Sequence, residues 1–273
     1  MTDQTERYDR IAAGYARWWA PVLAPAVAEL LDEVSPRAAD DERILDIGTG
    51  TGQLAIGALL RWPATTVVGV DASSGMLAAA HAAADERLGP GDRSKFEGVN
   101  AVADRLPFDD GAFDLALSSF VLQLVPNRAR ALREARRVLR PDGLLAYVSW
   151  LDEDRAFRPD QIYDEVLEDL GLEARWSDDR PGDIPSVERA AGEMRRAGFA
   201  RVTARSGWLA HRYTIESFIS FLTEFDEETY LGELEPDVRE RLLDTLRGRL
   251  ESLSGHDMTV RYQIVFVSGH RSR

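Results

Sequence analysis

The sequence predicts an α/β fold built on a doubly wound sheet of mostly parallel strands. Short apolar segments, typical of strands buried on both faces, alternate five times with helical segments between residues 43 and 150. The first of these strands ends in alternating glycines, and the second ends in an aspartate. Regular alternation of strand and helix is typical of a parallel sheet with right-handed crossovers.

The first forty residues are predicted to be helical, and the strands of the sheet follow them. Val27, Leu30, Leu31 and Val34 lie at i, i+3, i+4 and i+7, on one face of a helix. Strands are predicted at residues 43–47, 65–70, 95–99, 113–118 and 144–150, with helices at about 53–61, 74–87 and 127–140. Asn127 is a suitable N-cap for the last of these helices.

The regular alternation ends after residue 150. Helices are predicted at residues 161–170 and 186–197, and strands near 201–205 and at 259–267. Between those two strands, apolar residues recur at helical spacing in two stripes, namely Phe218, Phe221, Leu222 and Phe225, and Leu242, Leu243, Leu246 and Leu250. The stripes predict a helical cap inserted into the C-terminal half of the chain, at about residues 208–253.

Composition and charge exclude several classes of function. The chain has 273 residues, 33 of them Lys or Arg and 47 Asp or Glu, so its net charge is −14. Such an acidic surface repels nucleic-acid phosphates and anionic lipid, so neither nucleic acid nor a membrane is expected as partner. There is no cysteine, no apolar run of about 20 residues and no apolar N-terminal leader. We therefore expect a cytoplasmic protein.

The first predicted strand leads into a loop with glycine at every second position, residues 48–52. Such a loop exposes backbone N–H groups with no side chain in the way. A dinucleotide fingerprint needs a third glycine where Gln53 or Ala55 stands, and the lysine of a phosphate-binding P-loop is absent. The segment is thus either a tight turn or a ligand-binding loop that differs from both motifs.

Asp71 ends the second predicted strand, 25 residues after Asp46. In open α/β sheets, ligands bind outside the carboxyl ends of the strands, where an acid at this position hydrogen-bonds a ribose diol. The alternative role is an acid at the start of a helix, where it interacts favourably with the helix dipole. Next to the glycine loop, we favour the ribose.

Five segments, in order along residues 8–150, carry a family resemblance. They are Tyr8-Asp9 with Ala13 and Tyr15; ILDIGTGTG at 44–52; VGVD at 68–71 with Met76-Leu77; LPFDDGAFD at 106–114; and RVLRPDG at 137–143. Together they resemble the class I S-adenosylmethionine-dependent methyltransferases of the small-molecule, type 11-like branch. The resemblance implies a Rossmann-like sheet of seven strands and S-adenosylmethionine as cofactor. It divides the chain into an N-terminal helical segment (1–40) that closes over the cofactor, a cofactor-binding core (41–150), and C-terminal strands with the cap (151–273).

The resemblance also implies the site residues. Asp46, Gly48 and Gly50 would line the methionine part of the cofactor, Asp71 would bind the ribose, and Met76 would cover the adenine or simply fill the core. The implied cofactor-binding residues are Tyr15, Asp46, Gly48, Thr49, Gly50, Asp71, Ala72, Met76, Asn100, Ala101 and Ser118, and those on the acceptor side are Trp19, Ser119, Gln123 and Phe218.

The chain departs from the family pattern before the LPF segment, where an Asp-Ala pair usually reads the adenine amino group. Here the sequence is Asn100-Ala101-Val102-Ala103-Asp104. Three alternatives stay open. Asn100-Ala101 makes the contact with the adenine amino group, Asp104 makes it, or Val102 occupies the position and the contact is lost. We favour Asn100-Ala101.

The chemistry requires few catalytic side chains. A sulfonium methyl is already activated, so transfer mainly needs the acceptor held on the axis of displacement. Of four histidines, His211 is the candidate general base, and no spacing of His, Asp and Glu predicts a metal site. The sequence thus predicts a methyltransferase with a small-molecule acceptor. The alternatives are an NAD-dependent oxidoreductase and a non-catalytic module that binds S-adenosylmethionine.

Overall fold

A computed structural model describes residues 3–34, 42–152, 156–173 and 182–272. Seven strands within these residues form one sheet in the order β3-β2-β1-β4-β5-β7-β6. The strands are β1 Arg43–Ile47, β2 Thr66–Asp71, β3 Phe96–Asn100, β4 Phe113–Ser119, β5 Leu139–Trp150, β6 Phe199–Arg212 and β7 Thr259–Arg271. β1 to β5 pair in parallel and β7 runs antiparallel to β5, which confirms the predicted doubly wound, mostly parallel sheet.

The described residues form α-helices before, between and after the parallel strands. They are α1 Asp3–Gly14, α2 Ala20–Glu33, α3 Gln53–Arg61, α4 Ser74–Arg87, α5 Pro90–Arg93, α6 Arg128–Val138, α7 Arg158–Asp169, α8 Val187–Arg196, α9 Ile215–Phe221, α10 Glu228–Glu233 and α11 Pro236–Leu250. Two π-helical segments, Tyr15–Trp19 and Leu222–Asp226, follow α1 and α9. Ser73, Asn127 and Ser186 cap α4, α6 and α8 by accepting a backbone N–H, as expected for N-cap residues.

The strand order reverses between β1 and β4, and ligands of open α/β sheets bind at this point, outside the carboxyl ends of the strands. Register brings the strand ends to one edge of the sheet. Ile47 pairs with Val70, and Asp71 pairs with Asn100, while β4 ends at Ser119. The glycine loop, Asp71 and Asn100 therefore lie side by side at this edge.

The boundaries of β5 and β6 differ most from those predicted. β5 begins at Leu139, not at residue 144, because Leu139 already pairs with Phe113 before a register shift that absorbs the predicted turn. Asp142 in that turn has a φ of 63°. β6 continues to Arg212, well beyond the predicted end at residue 205.

The described residues fall into two compact units. The first lies within Met1–Asp152, Pro181–Gly207 and Gln263–Arg273, and the second within Glu153–Arg180 and Trp208–Tyr262. The second unit has an aromatic core of its own, in which Phe218 contacts Phe157 and Tyr213 at ring-centroid distances of 5.9 and 5.6 Å. The predicted Phe218 stripe is therefore buried against other aromatic residues of this unit. No helix in the described residues is long and apolar enough to cross a membrane.

Tyr147 on β5 is fully buried, and its hydroxyl has no hydrogen-bond partner among the described residues. A buried unpaired hydroxyl costs about 1–3 kcal/mol. We expect Tyr147→Phe to raise the free energy of unfolding by about 1 kcal/mol in urea denaturation. The control is Ser118→Ala on β4, which removes a hydroxyl that donates to Ile47 O at 2.8 Å and should lower stability. A destabilised Tyr147→Phe protein would show that the hydroxyl has a partner.

Candidate active site

The glycine loop between β1 and α3 needs glycine at Gly48 and Gly50 for two different reasons. Both have positive φ, 72° and 53°. A Cβ built on Gly48 would lie 2.3 Å from Val121 Cγ2, so this glycine admits the loop that follows β4. A Cβ on Gly50 would meet no described atom within 4 Å, so this glycine faces open space. Gly50 thus leaves room for a ligand, whereas Gly48 serves packing.

Asp71 connects the glycine loop to the start of α4. Its Oδ2 accepts the Gly50 N–H at 2.8 Å, and its Oδ1 accepts the Ser73 N–H at 2.9 Å. Burial raises the pKa of Asp71, opposed by these hydrogen bonds. Each carboxylate oxygen can accept a second hydrogen bond, so the side chain can hold both loops and still bind a ligand hydroxyl.

Asp46 is a second buried acid beneath the same loop, with 1% of its surface exposed. Its Oδ2 accepts from Thr49 Oγ1 at 2.8 Å and from the Ala55 N–H at 3.1 Å. Its Oδ1 has no partner among the described residues. Burial, with a smaller contribution from the charge of Asp71, raises the pKa of Asp46 to about 7.

Two tyrosines of the N-terminal segment lie close to Asp71. The rings of Tyr8 and Tyr15 meet edge to face, with centroids 6.2 Å apart. Burial raises the pKa of each hydroxyl, and the charge of Asp71 raises both further. The structure therefore brings Tyr15, Asp46 and Asp71 together, and their roles toward the cofactor stay predictions.

The segment after β3 offers Asn100 at the same edge. Its Nδ2 donates to Asp71 O at 3.1 Å and to Ala72 O at 3.0 Å, and the Ala101 N–H donates to Asp71 O at 3.1 Å. Met76 is buried in the first turn of α4, where its N–H donates to Ser73 Oγ. This contact of Asn100-Ala101 with the residue favoured for ribose binding supports them over Asp104 and Val102, although their role toward adenine stays a prediction.

Aromatic rings gather where β4 and β5 end. Phe120, directly after β4, adopts a φ of 54°, which a bulky residue rarely does. Its ring centroid lies 4.2 Å from that of Trp150, the last residue of β5. The ring centroids of Trp19 and Trp150 are 6.1 Å apart. Ser119, partly exposed, adjoins Phe120. Backbone strain of this kind is concentrated at functional sites, which makes this aromatic cluster (Trp19, Phe120, Trp150) a candidate acceptor wall.

Ser118 and Gln123 are engaged within the protein. The Ser118 hydroxyl donates to Ile47 O, which ties β4 to β1. Gln123 donates through Nε2 to Phe120 O at 2.7 Å and accepts from Ser149 Oγ at 2.8 Å. These contacts hold the ends of the strands in place, and a direct role toward cofactor or acceptor stays a prediction for both residues.

His211 and Phe218 belong to the second unit. The His211 ring lies 4.5 Å from Tyr213, and burial lowers the pKa of this histidine. A lowered pKa favours the neutral imidazole that a general base requires. Their roles in catalysis and in acceptor binding stay predictions.

Sequence reasoning missed three residues at this edge of the sheet: Asp9, Phe120 and Trp150. Asp9, whose Oδ1 accepts hydrogen bonds from Ser73 Oγ and the Gly75 N–H, stood within one of the resembling segments, but nothing in the sequence pairs it with those residues. An aromatic residue directly after β4 and another at the end of β5 were available signals for the cluster. The positive φ of Phe120 leaves no trace in the sequence.

Arg137 explains why two of the resembling segments occur together. Its guanidinium donates to Leu106 O at 3.0 Å and to Phe108 O at 2.7 Å, so the RVL segment holds the LPF segment in place. Hydrogen bonds to Glu134 and Asp110 raise the pKa of Arg137. These contacts give the motif residues a structural role.

The electrostatics at Gly50 suit a cation and not a pyrophosphate. The N–H groups of Gly48 and Thr49 donate to Val70 O, and that of Gly50 is taken by Asp71, so none of the three is free for a phosphate. Two acids lie at the loop: Asp46, which is buried and has an oxygen unpartnered among the described residues, and Asp71, which is partly buried. The residues therefore fit S-adenosylmethionine, which carries a ribose diol together with sulfonium and ammonium charges.

A doubly wound sheet with an acidic, glycine-lined loop at its switch point defines an enzyme that binds a nucleoside cofactor. A family model described as a methyltransferase domain matches residues 45–147. Malonyl-[acyl-carrier protein] O-methyltransferase of Geobacter sulfurreducens is 36% identical over 71% of this chain and 69% of its own. A ubiquinone/menaquinone biosynthesis C-methyltransferase of Methylobacterium nodulans is 31% identical over 72% and 78%. The chain belongs to the class I S-adenosylmethionine-dependent methyltransferases.

Solved structures share the fold. The YcgJ protein of Bacillus subtilis superposes with a TM-score of 0.58 at 18% identity, covering 91% of this chain and 99% of that one. Phosphoethanolamine N-methyltransferase 2 of Haemonchus contortus, bound to S-adenosylhomocysteine, gives 0.57 at 18% identity, covering 99% and 59%. Together with the family model and the relatives above, this makes the protein an enzyme with S-adenosylmethionine as cofactor and not an NAD-dependent oxidoreductase.

The raised pKa of Asp46 makes stability depend on pH. The unfolded carboxyl titrates near pH 3.9, and the folded one near pH 7, so the folded state keeps a proton that the unfolded chain has lost. The contribution of Asp46 to the free energy of unfolding is therefore complete below about pH 4. It is lost as pH rises to about 7, by roughly 1.4 kcal/mol per pH unit. In urea denaturation from pH 4 to 8, Asp46→Asn should remove this slope. The exposed Asp109→Asn is the control, and parallel curves for wild type and Asp46→Asn would contradict the assignment.

The open space in front of Gly50 predicts the effect of a larger side chain. Gly50→Val adds a branched side chain there and places valine in the left-handed region, a strain of about 1–2 kcal/mol. We expect no measurable binding of S-adenosylmethionine in calorimetry by a protein that still folds. Gly111→Val is the matched control, since Gly111 also has a positive φ of 72° but precedes β4 at the opposite edge of the sheet. Unchanged affinity in Gly50→Val would place the cofactor elsewhere.

Proposed function

We propose that this methyltransferase acts on a small-molecule acceptor with a flat, apolar body, held by the aromatic cluster. The main observation in support is the packing of Trp19, Phe120 and Trp150 where β4 and β5 end. Aromatic rings stack on flat apolar groups and contribute about 0.5–1.5 kcal/mol beyond the area they bury. This cluster adjoins the ligand-binding edge of the sheet on the β4 side of the switch point.

The cofactor is assigned to the β1 and β2 side of the same edge. Asp71 would accept the ribose hydroxyls, Asp46 would face the charged methionine part, and Gly50 would leave room for it. Tyr15, near Asp71, would cover the cofactor. When bound, S-adenosylmethionine supplies a methyl group on a positively charged sulfur, which is activated for in-line displacement.

The residues of this chain then act mainly by positioning. Val121 packs against Gly48, so the loop that carries Phe120 is fixed directly to the glycine loop. The aromatic cluster would thus hold the acceptor in a constant position relative to the cofactor loop. Bringing the reacting atoms to about 3–3.5 Å supplies much of the acceleration of such a transfer.

A small acceptor also agrees with charge. The net charge of −14 disfavours nucleic-acid acceptors, because the protein repels their phosphates. The two relatives described above act, by their names, on different acceptors, so we take from them the reaction and not the substrate.

Asp71→Ala and Trp19→Ala test the two sides separately. Asp71→Ala should weaken binding of S-adenosylmethionine about 10- to 150-fold, a loss of roughly 1.5–3 kcal/mol, by removing charge-assisted hydrogen bonds.

Trp19→Ala should leave the affinity for S-adenosylmethionine within about 2-fold. It should raise KM for an acceptor found by screening flat apolar compounds for formation of S-adenosylhomocysteine. Affinities are measured by calorimetry, and KM by release of S-adenosylhomocysteine.

The exposed Asp109→Ala is the control for the loss of one negative charge. Unchanged affinity in Asp71→Ala would refute the cofactor side of the proposal. Turnover with polar or polymeric acceptors alone, and none with flat apolar ones, would refute the acceptor side.

A further inference from the structure

Asp9 on α1 binds the beginning of α4, more than sixty residues away in sequence. Its Oδ1 accepts from Ser73 Oγ at 2.6 Å, from the Gly75 N–H at 2.7 Å and from Ser74 Oγ at 3.4 Å. The first N–H groups of a helix have no partner within the helix. Asp9 satisfies one of them from another helix, a role that its sequence segment did not reveal.

The close approach of the two helices is independent evidence that α1 is fixed against α4. A Cβ on Gly75 would lie 2.8 Å from the backbone oxygen of Asp9 and 3.0 Å from its Cα. Only glycine at this position lets α1 approach α4 so closely. The hydrogen bonds from Ser73 and Gly75 lower the pKa of Asp9, so the carboxylate is ionised at neutral pH.

Ser73 links Asp9 to Asp71 on the cofactor side of the site. Its hydroxyl donates to Asp9 and accepts the Met76 N–H at 3.0 Å, while its own N–H donates to Asp71 Oδ1. Asp9 therefore orients the hydroxyl of the residue that also holds the Asp71 carboxylate. One chain of hydrogen bonds runs from α1 to the proposed ribose-binding group.

The segment that Asp9 anchors also supplies rings to both sides of the site. Tyr8 and Tyr15 lie near Asp71, and Trp19 packs near Trp150. α1 continues through the π-helical segment Tyr15–Trp19 into α2 without leaving helical geometry. A contact that fixes α1 therefore also helps to fix the segment that carries Tyr15 and Trp19.

We propose that Asp9 is a positioning residue for methyl transfer: it fixes α1 against α4 so that Tyr8 and Tyr15 cover the cofactor and Trp19 lines the acceptor wall. This inference rests on the proposed function, which assigns those two sides. Asp9 touches neither ligand. It acts through Ser73, Gly75 and the segment it anchors.

The test compares Asp9→Ala, Asp9→Asn and Glu6→Ala in the full chain. Asparagine keeps a carbonyl oxygen at Oδ1, the atom that accepts all three hydrogen bonds, whereas alanine removes it. Glu6 is an exposed acid on the same helix and controls for charge. The probes are calorimetric binding of S-adenosylhomocysteine and tryptic cleavage after the exposed Arg10 and Arg17, with and without that ligand.

We expect Asp9→Ala to bind S-adenosylhomocysteine at least about 5-fold more weakly and to be cleaved faster at both arginines. Ligand should no longer protect these sites fully. Asp9→Asn should restore both properties to near wild type, and Glu6→Ala should change neither. If alanine only destabilised the fold, the thermal midpoint of Asp9→Ala would fall, while its affinity for S-adenosylhomocysteine below that midpoint would stay at the wild-type value.

Wild-type affinity and cleavage in Asp9→Ala would overturn the inference, as would equal losses in Asp9→Asn and Asp9→Ala. Ser73→Ala provides a second route, because it removes the strongest partner of Asp9 and should reproduce the faster cleavage. No acceptor enters this experiment. A failure of the proposed function would appear instead as unchanged cofactor affinity in Asp71→Ala or as turnover with polar acceptors alone.

Discussion

The ligand-binding edge of the sheet depends on the hydrogen bonds that the partly buried carboxylate of Asp71 accepts. Asp71 receives the Gly50 N–H from the loop after β1 and the Ser73 N–H from the loop after β2, while Asn100 at the end of β3 donates to its backbone oxygen. A buried charge without such partners is costly, so the three strand ends must keep their relative positions. The open space at Gly50 persists because the loops around it are tied to a single residue.

The acceptor side is built on different physics. Aromatic packing and a strained backbone at Phe120 shape the ends of β4 and β5, with Gln123 holding Phe120 O and Ser149 Oγ in place. The contact of Val121 with Gly48 joins this region to the cofactor loop. A glycine that family resemblance assigns to ligand binding thus also sets the spacing between the two halves of the site.

Local patterns predicted what depends on local forces. β1, the glycine loop and the N-cap of α6 follow from apolar runs, glycine spacing and Asn127, whose effects act within a few residues. Contacts between distant segments were harder to predict, since nothing around Asp9 encodes its partners, and the aromatic residues at the ends of β4 and β5 were only a general signal that rings gather there. Ser118 was predicted at the site from its place at the end of the fourth strand, yet the direction of its hydroxyl toward Ile47 O depends on the neighbouring strand.

The partly protonated state of Asp46 near neutral pH has a consequence for calorimetry. A cation bound beside this carboxyl stabilises the ionised form and lowers its pKa, so a proton passes to the buffer. The heat of binding then includes the ionisation heat of whichever buffer accepts that proton. Titrations in phosphate and in Tris would differ in apparent enthalpy, and the difference would count the protons that leave the protein.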